Sequence, residues 1–273
     1  MSILFFLQTL ILSFAKVLYE IDESVQKCQD NLMKLTVIIP AAGKGLRLNL
    51  PYSKEIMRIN RDQALIDYTF DLFDGMGRDD VEFIVVINEQ KTDIIKYLAK
   101  YKSKYNVSFT YQDPNELEYT GAIKSAKNLF GEYNIVLLPD TILTLFKGQN
   151  LVRELHDCLE TGGFVFLFKY ESDEATLSTK GCLKLNSKKQ VIDYEDKPSQ
   201  NFSRFDGYWC GFGFKKATFD NCISFMEKST LKIDDPQLGI EQTKLFGRKV
   251  IEIKDYKDLG TWDQLIKLVP EKY

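Results

Sequence analysis

A glycine-containing loop with two nearby cations is the segment whose residue types best suit phosphate chemistry. It reads PAAGKGLRLNLPYSKE over residues 40–55 and directly follows an apolar run. Arg47 suits bidentate contact with phosphate oxygens, whereas Lys54 supplies a mobile point charge. Small residues let the backbone approach a polyphosphate closely, and successive amides can form an anion-binding nest. The small residues here are Ala41, Ala42, Gly43 and Gly45.

The spacing of this loop excludes two common nucleotide-binding motifs. It lacks the GxxxxGK[ST] spacing of a P-loop, and residues 46–48 do not supply the third glycine of a dinucleotide fingerprint. Taken without its surroundings, a glycine turn with two solvated cations is the alternative interpretation.

A carboxylate, Asp140, follows the apolar run NIVLLP and is predicted to end a buried strand. Parallel α/β sheets place their ligands at the carboxyl ends of their strands. A carboxylate there suits Mg²⁺, which combines few protein carboxylates with phosphate oxygens and water. The alternative is a helix N-cap, because Asp140 precedes the apolar segment TILTLF.

Alternating apolar and amphipathic segments are expected to position these residues. Three strand–helix cycles, beginning with LTVIIP at residues 35–40, predict an α/β fold with a mainly parallel sheet and helices on both faces. Four consecutive strands then extend the same sheet after about residue 160, in the segments GFVFLFKY, GCLKLN, QVIDYE and YWCGFGF. The lysine-bearing segment KTDIIKYLAKYKSKY, residues 91–105, is interpreted as the solvated face of an amphipathic helix.

The first 32 residues are set apart by their composition. Residues 3–17 read ILFFLQTLILSFAKV, which is shorter than the ~20 residues of a membrane span and lacks the positive start and cleavage pattern of a signal peptide. We expect a non-essential extension, with an anchor, a packing helix or an upstream start codon as alternatives. Residues 33–273 are expected to form one continuous domain.

Composition excludes several classes of function. A hydrophobic share of 44% with 27% charged residues is typical of a globular protein, and a net charge of −3 gives no reason to bind nucleic acid or an anionic membrane. The single histidine, His156, lies in the helical-looking LVRELHDCL without a second ligand nearby, so catalysis is expected to run without histidine. The five cysteines are dispersed, which predicts reduced, mostly buried thiols.

The loop at residues 40–55 resembles the signature loop of the sugar-phosphate nucleotidyltransferases, or NDP-sugar pyrophosphorylases. In that family a strand leads into G-x-G-x-R-L and then P-x-x-x-P-K. Here Gly43, Gly45, Arg47 and Lys54 match, and Ser53 replaces the second proline. The resemblance implies transfer of a nucleoside monophosphate from an NTP to a sugar-1-phosphate, with Mg²⁺, in a Rossmann-like three-layer sandwich of the nucleotide-diphospho-sugar transferase type.

The resemblance continues through the donor side of the predicted site. Gln112 in FTYQDP and Gly121 in YTGAIKSA resemble the glutamine and glycine that contact the nucleobase in the family. Asp140 and Asp258, the latter in YKDLGTW, resemble its two metal-binding aspartates. For Asp258 the alternative is again a helix cap, on the last helix. Arg47 and the loop amides are expected to hold the leaving pyrophosphate.

On the acceptor side, YEDKPS at residues 194–199 resembles the family's E-K-P motif. Lys197 is expected to bind the acceptor's phosphate, and Asp196 or Glu195 to accept hydrogen bonds from sugar hydroxyls. Asp196 replaces the usual glutamate, which puts the usual sugar in doubt. Gly181 in TKGCLKL resembles the glycine against which the acceptor packs. Arg47, Lys54 and Lys197 are the predicted catalytic residues.

Two alternatives to this function stay open at the level of sequence. One is a cytidylyltransferase acting on a non-sugar phosphate or a phosphonate, and the other is a catalytically silent nucleotide- or sugar-binding domain. The expected partners are an NTP, preferably UTP or dTTP, and a small phosphorylated acceptor, with no nucleic acid and no membrane except through residues 3–17. We expect a cytoplasmic protein and a possible homo-oligomer.

Overall fold

The computed structural model describes residues 34–45, 48–116, 118–230 and 247–268, with side chains to residue 227 in the third range. The predicted N-terminal extension, residues 1–32, and Arg47 lie outside these ranges. Within them, no helix is long and apolar enough to cross a membrane.

The first half of the domain is a parallel sheet built from the predicted strand–helix cycles. β1 pairs in parallel with β2 and β4, and β2 pairs in parallel with β3. The strands are β1 (Leu35–Pro40), β2 (Val81–Ile87), β3 (Asn106–Tyr111), β4 (Tyr133–Val136) and the short β5 (Thr141–Thr144). The helices between them are α1 (Asp67–Asp71), α2 (Asp93–Leu98) and α3 (Glu118–Ser125).

The second half adds antiparallel strands to the same sheet, as predicted. β9 pairs antiparallel with β4 and β6, and β7 joins β8 to β9. The strands are β6 (Phe164–Tyr170), β7 (Gly181–Leu185), β8 (Val191–Asp196), β9 (Gly207–Lys215) and β10 (Val250–Glu252). The helices are α4 (Leu151–Gly162), α5 (Glu174–Leu177) and α6 (Phe219–Thr230). The order β10-β6-β9-β4-β1-β2-β3 confirms a mixed, mainly parallel sheet.

Helix α4 shows how local sequence sets these elements. The side chain of Asn150 accepts a hydrogen bond from the Arg153 amide at its start, and Gly163 ends it in a left-handed conformation with a φ of 70°. Leu151, Leu155 and Leu159, spaced four residues apart, are buried against the sheet. His156 lies in this helix, as predicted, and is partly exposed.

Two apolar layers cover opposite faces of the sheet, because alternate residues of a strand point to opposite sides. Val37 and Ile39 of β1 belong to the layer under α1, α2 and α4, whereas Ile38 belongs to the layer under α3 and α6. The predicted three-layer α/β sandwich is therefore confirmed. Among the described cysteines, three are buried, one is half-buried and none is in a disulfide.

A separate two-stranded ladder closes one edge of the site. β11 (Asp255–Asp258) pairs antiparallel with β5 and leads into the short helix α7 (Trp262–Ile266). The ladder brings residues 255–258 beside residues 141–144, which lie more than a hundred positions earlier in the sequence.

The interpretation of residues 91–105 as a solvated helical face is wrong. Lys91 is only 5% exposed and Tyr105 only 2%. Lys100 Nζ lies 2.8 Å from Oδ2 of Asp67, whose carboxylate is buried. The helix also ends at Leu98 and is followed by a 3-10 turn. Periodicity located the polar side of this segment, but the first lysine turns inward because a buried acid lies opposite it.

Candidate active site

The glycine loop leaves β1 at the carboxyl end of the parallel strands, where the sequence predicts the cleft. The Ala41 amide donates to the Val86 carbonyl at 2.8 Å, and Asn88 Nδ2 donates to the Ala42 carbonyl at 2.6 Å, so the start of the loop is tied to the end of β2. Gly45 has a φ of +66°. A Cβ added at Gly43 or Gly45 would meet no described atom within 4 Å, so open space borders the loop.

Lys54 lies in a short turn after this loop and forms an ion pair with Asp140 through Oδ2. The two side chains are 13% and 14% exposed, so the pair is largely buried. Asp140 comes after the end of β4 and directly before β5, so it does not end a strand as predicted. The helix N-cap alternative for Asp140 is also wrong, because TILT forms a strand.

Both chain neighbours of Lys54 are anchored to the segment that follows β2. Ser53 donates from its amide and its hydroxyl to the Asp93 carboxylate, at 2.9 and 2.5 Å. Lys91 Nζ lies 2.7 and 2.8 Å from the two carboxylate oxygens of Glu55, and this pair is almost fully buried. We call Ser53, Glu55, Lys91 and Asp93 the Lys54 clamp, because they fix the backbone on either side of Lys54.

Burial sets the electrostatics of the clamp. Desolvation raises the pKa of Glu55, an effect that the Lys91 charge opposes. Desolvation likewise lowers the pKa of Lys91, against the opposing charge of Glu55. Each charge is therefore tolerated because of the other. Sequence reasoning missed the clamp because the only signal was one lysine in a segment that otherwise suits a solvated helix.

Gln112 and Gly121 lie together at the end of β3 and in α3. Gln112 Nε2 donates to the carbonyls of Glu116 and Glu118, at 2.7 and 3.1 Å, so the donor end of its amide holds the loop at residues 113–118. The acceptor oxygen is the end that could meet a base. A Cβ added at Gly121 would lie 2.4 Å from the Glu116 carbonyl, so the chain itself uses this glycine for close approach.

The β5–β11 ladder brings Asp258 beside Asp140. Thr141 pairs with Asp258, and the Leu259 amide donates to the Asp140 carbonyl at 2.9 Å. Burial raises the pKa of the Tyr256 hydroxyl, and the charges of both aspartates add to this rise, since both lie near it. The helix-cap alternative for Asp258 is wrong, because its carboxylate accepts the Gly260 amide at 3.0 Å and α7 begins after Thr261.

The acceptor motif lies where β7 and β8 pair. Gly181 is directly opposite Asp196, and the Lys197 amide donates to the Lys180 carbonyl at 2.9 Å. Lys197 has a φ of 51°, and its half-exposed side chain ends 3.9 Å from Oδ2 of Asp196. Sequence reasoning also missed Lys180, whose Nζ lies 2.7 Å from Oδ2 of Asp258. Its position directly before Gly181 was the only available signal.

Glu195 does not join the other acceptor residues. Its carboxylate lies 3.3 Å from an Arg204 guanidinium nitrogen, and Arg204 also binds Asp193, two residues earlier on β8. Neighbouring residues of a strand point to opposite faces, so Glu195 and Asp196 point apart. Asp196, not Glu195, is the carboxylate next to Gly181 and Lys197.

A comparison with protein families decides the class of this protein. The family described as nucleotidyl transferase matches residues 36–272, which is most of the chain. This chain belongs to the nucleotidyl transferase family. It is therefore an enzyme of the nucleotidyltransferase class.

Solved structures share the fold of this nucleotidyl transferase. A protein from Bacillus anthracis assigned as a glucose-1-phosphate thymidylyltransferase is 16% identical, with a TM-score of 0.67 over 86% of this chain and 94% of that one. A UDP-glucose pyrophosphorylase from Acinetobacter baumannii is 18% identical, with a TM-score of 0.64 over 87% and 92%. A UDP-glucose pyrophosphorylase complexed with UDP-glucose is 17% identical, with a TM-score of 0.64 over 86% and 97%. No curated protein matches the chain.

The donor set of this nucleotidyl transferase fits a magnesium ion that takes its other ligands from substrate. Asp258 ends β11 and Asp140 directly precedes its partner strand β5; their side chains, which could supply carboxylate oxygens, are 31% and 14% exposed. No cluster of three or more His, Cys, Asp or Glu in the described ranges could hold a metal alone. Two carboxylates suit an ion that keeps waters and phosphate oxygens, and do not suit a structural zinc site.

A cavity of about 590 Å³ lies between the start of α4 and β10. It contains none of the predicted site residues. Its acids already have partners, since Glu154 accepts from Gln149 and Glu252 pairs with Lys189. The predicted site residues therefore lie in the loop and the ladder and not in this cavity.

Proposed function

We propose that this nucleotidyl transferase moves a nucleoside monophosphate from an NTP to a sugar-1-phosphate, giving an NDP-sugar and pyrophosphate. The observation that carries the proposal is the β5–β11 ladder, which joins Asp140 and its partner Lys54 on one side to Asp258 and the acceptor motif on the other. We infer that the donor and acceptor phosphates meet where these two groups lie side by side.

The donor side binds the triphosphate. The open space beside Gly43 and Gly45 takes the phosphates, whose charge the loop amides and Arg47 offset. Lys54 then moves from Asp140 to the α-phosphate, where negative charge must be neutralised before a second anion can approach. The Gln112 carboxamide oxygen accepts from the base, while Nε2 keeps the loop at residues 113–118 closed.

The acceptor side aligns the nucleophile. Lys197 binds the phosphate of the sugar-1-phosphate, and Asp196 accepts hydrogen bonds from its hydroxyls beside Gly181. That phosphate is already anionic near neutral pH, so the reaction is an in-line attack on the α-phosphorus, with pyrophosphate leaving and no covalent intermediate. Catalysis then consists of alignment and charge neutralisation.

Asp140 and Asp258 are the residues that hold Mg²⁺ in this proposal. When bound there, Mg²⁺ would supply positive charge that offsets the charge of the α-phosphate. Its binding site is incomplete without substrate, which fits a site of two carboxylates. For the substrates we propose UTP or dTTP with a hexose-1-phosphate, since the similar structures include a thymidylyltransferase and UDP-glucose pyrophosphorylases. We place the reaction in the cytoplasm, where both substrates are available.

The test is a panel of four NTPs and dTTP crossed with several sugar-1-phosphates and with choline phosphate, scored by pyrophosphate release with and without Mg²⁺. We expect metal-dependent release with UTP or dTTP and a hexose-1-phosphate. Release with CTP and choline phosphate alone would replace the sugar acceptor in the proposal. Tight NTP binding without release from any pair would contradict the proposed activity.

A further inference from the structure

Lys180 occupies a position in the site that none of the matched motifs assigns. It is the last residue before β7, and its side chain is only 18% exposed. Its Nζ lies 2.7 Å from Oδ2 of Asp258 and 5.6 Å from the centre of the Tyr256 ring. These two contacts, to a carboxylate and to an aromatic ring, hold the ammonium group of Lys180 in one position.

The two candidate metal carboxylates are thus each paired with a lysine. Lys54 pairs with Asp140 on the donor side, and Lys180 pairs with Asp258 on the acceptor side. The hydrogen bond from the Leu259 amide to the Asp140 carbonyl connects the backbone beside one ion pair to the backbone beside the other. A divalent cation bound to both carboxylates would compete with both ammonium groups, because two cations on one carboxylate repel each other.

The displaced Lys180 ammonium would have a defined destination. The Lys180 carbonyl accepts the Lys197 amide, so the two lysines start from adjacent backbone positions. Gly181, which follows Lys180, lies opposite Asp196 in the β7–β8 pair. A side chain leaving Asp258 therefore stays beside the acceptor motif, where an incoming phosphate is the nearest new anion.

We propose that Lys180 is a second acceptor-phosphate ligand, which neutralises Asp258 until a divalent cation takes that carboxylate and then binds the acceptor's phosphate together with Lys197. This rests on the proposed function for the identity of the acceptor. The exchange itself is a property of the Lys180–Asp258 pair and holds for any phosphorylated acceptor.

A purely structural salt bridge between β7 and β11 is the competing explanation. Such partly exposed pairs contribute little to stability, and a Lys180 that never leaves Asp258 would contribute nothing to acceptor binding. Exchange predicts opposite changes. Without Lys180 the carboxylate of Asp258 keeps its hydrogen bond from the Gly260 amide but loses the competing ammonium group, so metal binding strengthens while acceptor binding weakens.

The experiment compares Lys180→Met with Lys184→Met in the full-length protein. Lys184 is the matched control, since it lies on the same strand and forms a 2.7 Å pair with Asp206 away from the site. Mn²⁺ alone is titrated by electron paramagnetic resonance, and glucose-1-phosphate is titrated by calorimetry with UTP and Ca²⁺ present to prevent turnover. We expect Lys180→Met to bind Mn²⁺ about 10-fold more tightly and glucose-1-phosphate at least 10-fold more weakly, with Lys184→Met unchanged.

Lys180→Arg should restore most of the glucose-1-phosphate affinity, because it retains the cation. Mn²⁺ binding that weakens or does not change in Lys180→Met would overturn the exchange. Unchanged glucose-1-phosphate affinity, beside tighter Mn²⁺ binding, would overturn the acceptor role. The Mn²⁺ titration needs no turnover, so a wild-type protein that releases no pyrophosphate would refute the proposed function without hiding the result for Lys180.

Discussion

The donor and acceptor sides of the site are built differently. On the donor side, Lys54 is held between Ser53 and Glu55, which are both anchored to the segment after β2 by hydrogen bonds or by a buried ion pair. On the acceptor side, the Lys197 side chain is half-exposed, and the backbone of the same residue has a positive φ. The side proposed to bind the triphosphate is therefore fixed by buried contacts, whereas the side proposed to bind the acceptor is more exposed.

The largest expected effect on activity comes from neutralising the donor-side carboxylate, Asp140. Asp140→Asn removes the charge that holds Lys54 and one of the two carboxylates assigned to Mg²⁺. We expect kcat to fall by about 10³-fold, the scale on which lost transition-state charge stabilisation is measured. Steady-state pyrophosphate release measures it, with Asp74→Asn on the exposed Asp74–Lys104 pair as the control. Activity within a few-fold of wild type would contradict the assignment of Asp140.

The clamp predicts a large loss of stability when one buried charge is left alone. Lys91→Met should lower the free energy of unfolding by about 3 kcal/mol, because Glu55 loses its partner in a buried position. The double variant Glu55→Gln, Lys91→Met should lose much less, since no buried charge remains. Urea denaturation of the single and double variants measures both. Additive losses would show that the pair does not act as a unit.

The same variant has a predicted pH dependence. Burial already raises the pKa of Glu55, and losing Lys91 raises it further. A carboxyl whose pKa is higher in the folded than in the unfolded state binds protons on folding. Lys91→Met should therefore be most stable below the unfolded-state pKa of Glu55 and lose stability as the pH rises through the folded-state value. The double variant should lack this trend, and a flat profile for Lys91→Met would contradict the burial of Glu55.

Two glycines, Gly121 on the donor side and Gly181 on the acceptor side, predict losses of stability of intermediate size. A Cβ at Gly121 would meet the Glu116 backbone at 2.4 Å, whereas a Cβ at Gly181 would meet the Trp209 indole at 2.0 Å. We expect Gly121→Ala to cost about 3 kcal/mol, because backbone must shift, and Gly181→Ala about 1 kcal/mol, because a side chain can move. Thermal denaturation ranks them. Adding Trp209→Leu should restore stability to Gly181→Ala but not to Gly121→Ala. If Trp209→Leu restored both variants equally, the contacts assigned to the two glycines would be contradicted.

The smallest expected effect lies at the sugar contact. Asp196→Asn should raise the KM for the sugar-1-phosphate about 10-fold, the scale of one hydrogen bond to a charged group, and leave the KM for the NTP unchanged. Glu195→Gln is the matched control, because Glu195 pairs with Arg204 on the other side of β8. A larger effect from Glu195→Gln would reverse the assignment of the two carboxylates.

The succession of strands and helices along the chain and the glycine-containing loop after β1 could be predicted because each depends on local pattern. Apolar runs such as LTVIIP and the small residues at 41–45 carry their structural role in their own types. The partners could not be predicted in this way. Asp258 reaches Asp140 only through the β5–β11 ladder, and Lys91 is buried only because Glu55 lies across from it. The sequence of a polar segment does not distinguish a solvated lysine from one that forms a buried ion pair.

The most direct test of the whole site follows the label from an α-³²P-labelled nucleoside triphosphate in one turnover with Mg²⁺ and the preferred sugar-1-phosphate. The two-sided site predicts that the label appears in an NDP-sugar in the same amount as released pyrophosphate, with none bound to protein. Label recovered as free nucleoside monophosphate, or left entirely in the triphosphate, would contradict the joining of donor and acceptor sides at Asp140 and Asp258.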